Sequence, residues 1–132
     1  CIRDSLEAFL ASPGRTRRLR AAEKYRDHRI IISVTSSHAC IAGHEQGDEF
    51  ALDSIGRVQP AAGGQGICIM ALTKIWWRVM LILERMAATE GGGDFEGTLF
   101  DLAMNCYGAG LPLGACGEIQ MKVSVREPVS AG

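Results

Sequence analysis

Cys68-Ile69-Met70-Ala71-Leu72-Thr73-Lys74-Ile75-Trp76-Trp77-Arg78-Val79-Met80-Leu81-Ile82-Leu83-Glu84-Arg85-Met86 is the stretch on which the fold turns. Cys68, Leu72, Ile75, Trp76, Val79, Ile82, Leu83 and Met86 recur every three or four residues. That is the repeat of one helix face, and it predicts a long helix with an apolar stripe against a core. Met70, Trp77 and Leu81 fall off the stripe and leave Lys74, Arg78 and Arg85 as a narrow polar strip. A helix apolar on more than one face needs more than one neighbour, which predicts a homo-oligomer joined through residues 67–87. Trp76 and Trp77 project about a hundred degrees apart, so one is expected in the core and the other at the subunit contact.

Outward from this helix the periodicity changes to two. Glu118 to Val125 alternates Ile119, Met121, Val123 and Val125 with Gln120, Lys122 and Ser124, the pattern of a half-solvated strand. On the other side, the β-branched run Ile30-Ile31-Ile32 with Val34 predicts a buried strand over 29–35, Gly43 to Gly47 a turn, and Glu49 to Leu52 a short returning strand. Pro60 to Gly66 is a loose approach to the helix, Gly91 to Gly93 its end, and residues 98–107 fit a short helix or a strand. Neither glycine cluster has the lysine or the strand-to-helix setting of a phosphate loop. Before the first strand, 5–10 and 17–26 read as short helices separated by Ser12-Pro13-Gly14. The expected order is ααββαβ: an α+β domain over 29–132, a small antiparallel sheet packed on one long helix, with an N-terminal helical appendage over 1–28.

The chain has 132 residues, enough for one unstapled core, and a formal net charge of −1. Arg15, Arg17, Arg18 and Arg20 are read as a solvated helix face, and no nucleic-acid partner is expected. Five cysteines at irregular spacing fit neither a secreted disulfide framework nor paired zinc knuckles, so reduced thiols in a cytoplasm are expected. Ile2 to Leu10 is interrupted by Arg3, Asp4 and Glu7 and does not read as a cleavable signal. The most apolar window carries Lys74 and Arg78 and is short for a bilayer, so no membrane span is expected.

The chemistry-bearing residues crowd into His38-Ala39-Cys40-Ile41-Ala42-Gly43-His44, followed by Gly47-Asp48-Glu49-Phe50. Imidazole and thiolate are ligands for zinc or iron, and a four-coordinate set would be drawn from the cluster of His38, Cys40 and His44 by recruiting Cys68 and either Cys106 or Cys116. Alternation along a strand would place His38 and Cys40 on one side. The plainer alternative makes Cys40 and Cys68 small buried hydrophobes and the histidines turn caps. Cys68 at the start of the helix is also a candidate reactive thiol, with His38 or His44 as its base. Asp48 is expected to bond its own turn and Glu49 to face solvent.

Cys40, Gly43-His44, Gly47-Asp48-Glu49-Phe50, Gly66-Ile67-Cys68, Ala71-Leu72 and Cys106 before a last apolar strand resemble a family of small uncharacterised cysteine-containing proteins. Members of that family are often encoded beside corrinoid-dependent methyltransferases of the uroporphyrinogen decarboxylase type. The resemblance spans 29–126, and its genomic company implies corrinoid-dependent methyl transfer; the first reading of the residues is an accessory or binding protein with a pocket lined by Cys40, His44 and Cys68, and with a protein partner. A small metal- or thiol-dependent enzyme using the same cluster, and a structural oligomer without catalysis, are the competing readings.

Overall fold

The computed structural model describes residues 2–59, 64–89, 102–107 and 117–128. Its elements are α1 (Ile2–Leu10), α2 (Pro13–Lys24), β1 (Arg29–His38), β2 (Glu49–Leu52), β3 (Val58–Gln59), α3 (Ile69–Thr89), β4 (Met104–Asn105) and β5 (Glu118–Arg126). The strands form one antiparallel sheet in the order β3-β2-β1-β5-β4. The architecture is α+β, a small antiparallel sheet with one long helix, as the two periodicities predict.

The β-branched run of β1 lies at the centre of the sheet. Ile30, Ile32 and Val34 point to one face, where they meet Phe50 and Leu52 of β2, Ile119, Met121 and Val123 of β5, and Ala71, Ile75, Val79, Ile82 and Met86 of α3. Burying each of the larger side chains stabilises the fold by about 1.5–3 kcal/mol. On the opposite face, Ile31 is also buried, although its sheet neighbours are Ala51 and Ser124. Arg126 pairs with Arg29 and Glu49 with Ser33 in the register, so the Arg126–Glu49 ion pair at 3.0 Å runs diagonally over Ile31 and roofs it.

Several sequence boundaries move. Pro13 and Gly14, expected to separate the first two helices, lie inside the first turn of α2, because proline's missing N–H costs nothing there. β1 runs to His38 rather than Thr35. A bulge makes this possible: Val34 pairs with Met121 and Ser36 with Gln120, leaving Thr35 as the extra residue. β3 is absent from the expected order, while β4 falls within 98–107, where the sequence fits a short helix or a strand; both are two residues long and exist only by pairing with β2 and β5. α2 packs on α3 and contributes Ala21 to the shared core, with Tyr25 joining from the C-cap position just past its end. Residue 28 lies in the turn between α2 and β1. Gly91–Gly93 lies outside the described residues.

α3 also departs from its expected distribution. Arg78 is not part of a solvated strip: it is 4% exposed, and its guanidinium donates to the Leu102 carbonyl. Lys74, one turn earlier, lies over the Tyr107 ring at 4.8 Å. Both cations thus face the 102–107 segment that carries β4. Neither tryptophan enters the core, since Trp76 and Trp77 are 55% and 38% exposed.

Candidate functional site at the sheet end

Cys40, His44, Cys68 and Cys106 all gather at the end of the sheet where β1 finishes and α3 and β5 begin. Gly43 (φ +75°) and Gly47 (φ +98°) supply the left-handed backbone that folds the 39–48 loop back. The loop is closed by the Gly43 N–H donating to the Cys40 carbonyl, and by the Ser37 hydroxyl donating to the His44 carbonyl at 2.5 Å. Asp48 caps the turn as expected, its Oδ2 accepting the Glu45 N–H at 2.9 Å.

His44 is the one buried imidazole of the cluster, 2% exposed, with its ring edge-on to Phe50 at 5.2 Å. Its Nε2 accepts the backbone N–H of Cys68 at 3.0 Å. Cys68 is the residue before α3, and its carbonyl in turn accepts the N–H groups of Ala71 and Leu72. The histidine therefore satisfies a donor at the helix start from a loop 24 residues earlier and fastens α3 to the sheet. An accepting Nε2 puts the neutral ring's proton on Nδ1. That nitrogen is buried without a hydrogen-bond partner, 3.9 Å from Asp48 Oδ2.

The remaining expected ligands do not join it. His38 is exposed at the last position of β1, and Ala39 follows at φ +49°, so the alternation that would set His38 and Cys40 on one side stops between them. Glu49 is exposed, but it is held by Arg126 rather than lying free in solvent. Cys40, Cys68 and Cys106 are half-buried thiols packed against the core, without disulfides. The Cys106 Sγ accepts the Ile119 N–H at 3.4 Å. Among the described residues, no three His, Cys, Asp or Glu side chains come together to hold a metal. The physical reason is that His44 has given one nitrogen to a backbone amide, while His38 is exposed at the end of β1. Cys1 and Cys116 lie outside the described residues.

Two buried charges escape the sequence reading. Asp53, 7% exposed, accepts from the N–H groups of Ile55 and Arg57, the Arg57 guanidinium at 2.8 Å and the Gln59 amide at 3.3 Å. Burial pushes its carboxyl up, and these donors outweigh that to hold it below its ordinary value. The signal was present in Asp53-Ser54-Ile55-Gly56, an Asx-turn pattern. Arg78 has the opposite balance. Burial lowers its pKa, and its Nε has no partner. No sequence signal marks it, because its acceptor is a backbone carbonyl 24 residues away.

Compared with known proteins, the chain matches no family model, no curated protein and no solved structure. No helix among the described residues is long and apolar enough to cross a membrane.

Proposed function

We propose that this chain is a small accessory protein that associates with a second copy through the outer face of α3 and offers the Cys40–His44–Cys68 end of its sheet to a ligand or protein partner. The observation that carries this is the second apolar face of α3. Ala71, Ile75, Val79, Ile82 and Met86 face the core, while Ile69, Met70, Trp76, Trp77, Met80 and Leu81 are 38–65% exposed on the opposite side. At about 200 Å² for a large side chain, these six leave roughly 600 Å² of apolar surface open. Leu102 and Tyr107, 53% and 55% exposed beside α3, bring that to roughly the 800 Å² per partner of a standard interface. Lys74 lies over the Tyr107 ring and Arg78, buried on the Leu102 carbonyl, lies over the Trp77 ring at 5.3 Å, so the cations nearest the patch are already engaged with its own aromatic rings.

The sheet end favours binding over catalysis. His44 Nε2 holds the backbone of Cys68 rather than its thiol, so no base sits on that sulfur through this nitrogen. The family resemblance supplies the setting, corrinoid-dependent methyl transfer, as part of this proposal.

The test is the mass of the full chain by sedimentation at several concentrations. Two copies are expected, with Trp76→Glu giving one copy and an unchanged melting temperature; a single-chain mass for the unaltered protein overturns the reading. Alkylation addresses the sheet end. Cys68 is expected to react no faster than free cysteine near neutrality, and a faster reaction would favour thiol chemistry instead.

A further inference from the structure

Two cavities lie side by side where α2 crosses α3. The first, about 270 Å³, is walled by Ile55, Met80, Leu83 and Met86 over the small residues Ala21 and Ala22. The second, about 280 Å³, sits at the start of α2 and is lined by Arg15, Arg17, Arg18 and Glu84. Arg18 and Ala87 border both. An apolar compartment thus adjoins one that carries three guanidinium groups against a single carboxylate.

We infer that the two adjacent cavities together hold a single-chain amphiphile, an alkyl tail of medium length in the first and a phosphate or carboxylate head in the second, passing Arg18 and Ala87 at their common border. The tail follows from volume and lining. On the scale by which a cavity of about 150 Å³ takes benzene, this solvent-open hollow of about 270 Å³ takes a chain of roughly ten carbons. The head follows from charge. Arg18 is engaged by Glu84 and Arg15 lies over the Phe9 ring at 5.4 Å, a contact that leaves its charge uncompensated, so Arg15 and Arg17 carry the excess positive charge. The start of α2 adds to them: Ser12 at its N-cap makes no side-chain cap and its first turn holds no acid, so its leading amides lack a side-chain acceptor and favour an anion.

The lip of the apolar cavity is built in advance. Asp53 fixes the turn that carries Ile55, and the Ser54 hydroxyl donates to the Ala22 carbonyl at 3.3 Å, tying that turn to α2. Gly56, at φ +86°, brings the turn against Leu83, whose Cδ1 would lie 3.2 Å from an added Cβ. The site draws on α2, which lies outside the family resemblance, and it shares Met80 with the outer face of α3 proposed as the subunit contact, so occupancy is read in both the unaltered chain and Trp76→Glu.

The experiment titrates the full chain with decyl phosphate below its micelle concentration, following heat and melting temperature. Inorganic phosphate and decanol serve as head-only and tail-only probes. Decyl phosphate is expected to bind and to raise the melting temperature, with each half binding at least about tenfold more weakly. Arg17→Glu and Ala22→Leu, one at the head and one filling the tail cavity, are each expected to weaken binding about tenfold without lowering the melting temperature of the ligand-free protein. Trp76→Glu is expected to bind as well as the unaltered chain, which separates this site from the subunit contact. No binding, or equal binding by Arg17→Glu and Ala22→Leu, overturns the proposal. Binding to phosphatidylglycerol vesicles without binding to monomeric decyl phosphate also overturns it, in favour of docking to a lipid surface.

Discussion

The turn at Asp53 and the tie between His44 and Cys68 both bury polar groups, and they do so over different spans of chain. Every partner of the Asp53 carboxylate comes from within six residues, so the turn assembles its own network as it forms. His44 has its partner 24 residues away across the α3 junction, and its bond exists only once sheet and helix are docked. The difference shows what each network does. The first shapes a loop; the second fixes the angle at which the long helix leaves the sheet. Long-range ties should therefore cost more to break, since a turn can relax locally around a lost partner, whereas the helix junction cannot admit water without undocking from the sheet.

The largest effect is expected at another long-range contact beside the tie. Gly117, at φ +87°, lies so close to β1 that an added Cβ would sit 2.0 Å from the Ala39 carbonyl oxygen. Gly117→Ala should cost about 4 kcal/mol or more, a large part of the total stability of a domain, read as a shift in urea midpoint. Gly43→Ala is the local counterpart. Its φ is +75° but nothing lies within 4 Å, so only about 1–2 kcal/mol should be lost. Equal costs would remove the distinction between local and long-range sites.

Next comes His44 itself. His44→Ala leaves the Cys68 N–H without its acceptor and opens space beside Phe50, a loss of about 2–4 kcal/mol by denaturation. His44→Gln, which keeps an acceptor, should recover part of it. Failure of glutamine to do better than alanine would assign the cost to packing alone.

Asp53 should give a smaller, pH-dependent effect. Its carboxyl is held below its ordinary value, so its contribution is present above the unfolded value of 3.8 and is lost as pH falls through the lower folded value. Asp53→Asn should cost about 1–2 kcal/mol at pH 7, and the gap from the unaltered protein should close in acid. A gap that stays constant down to the acid limit would mean that the carboxylate's charge is not what holds the turn. The smallest effect is expected at the exposed Arg126–Glu49 pair. Arg126→Ala should change stability by up to about 1 kcal/mol in low salt and less in high salt, with any excess assigned to the lost cover over Ile31.

The same division explains what could be read in advance. The three-to-four repeat of α3 and the alternation of β5 were legible because each side chain's burial follows from its own chain's geometry. Asp48 and Gly47 were legible for a similar reason, since a turn is closed by residues within reach of one another. The metal-type crowding of His38, Cys40 and His44 was not a guide to geometry. Nearness in sequence does not fix direction once Ala39 turns the backbone.

By itself, then, the sequence determined that this protein has one long two-faced helix, a central apolar strand, a glycine turn and a half-solvated final strand. Each is a periodicity or a turn, a property of a few consecutive residues. Tertiary structure alone decided that His44 reaches the start of α3, that Arg78 is buried on a distant carbonyl, that both tryptophans stay outside, and that α2 and α3 enclose paired cavities. These outcomes depend on which distant segments meet, and that is set by packing the whole core rather than by any local pattern.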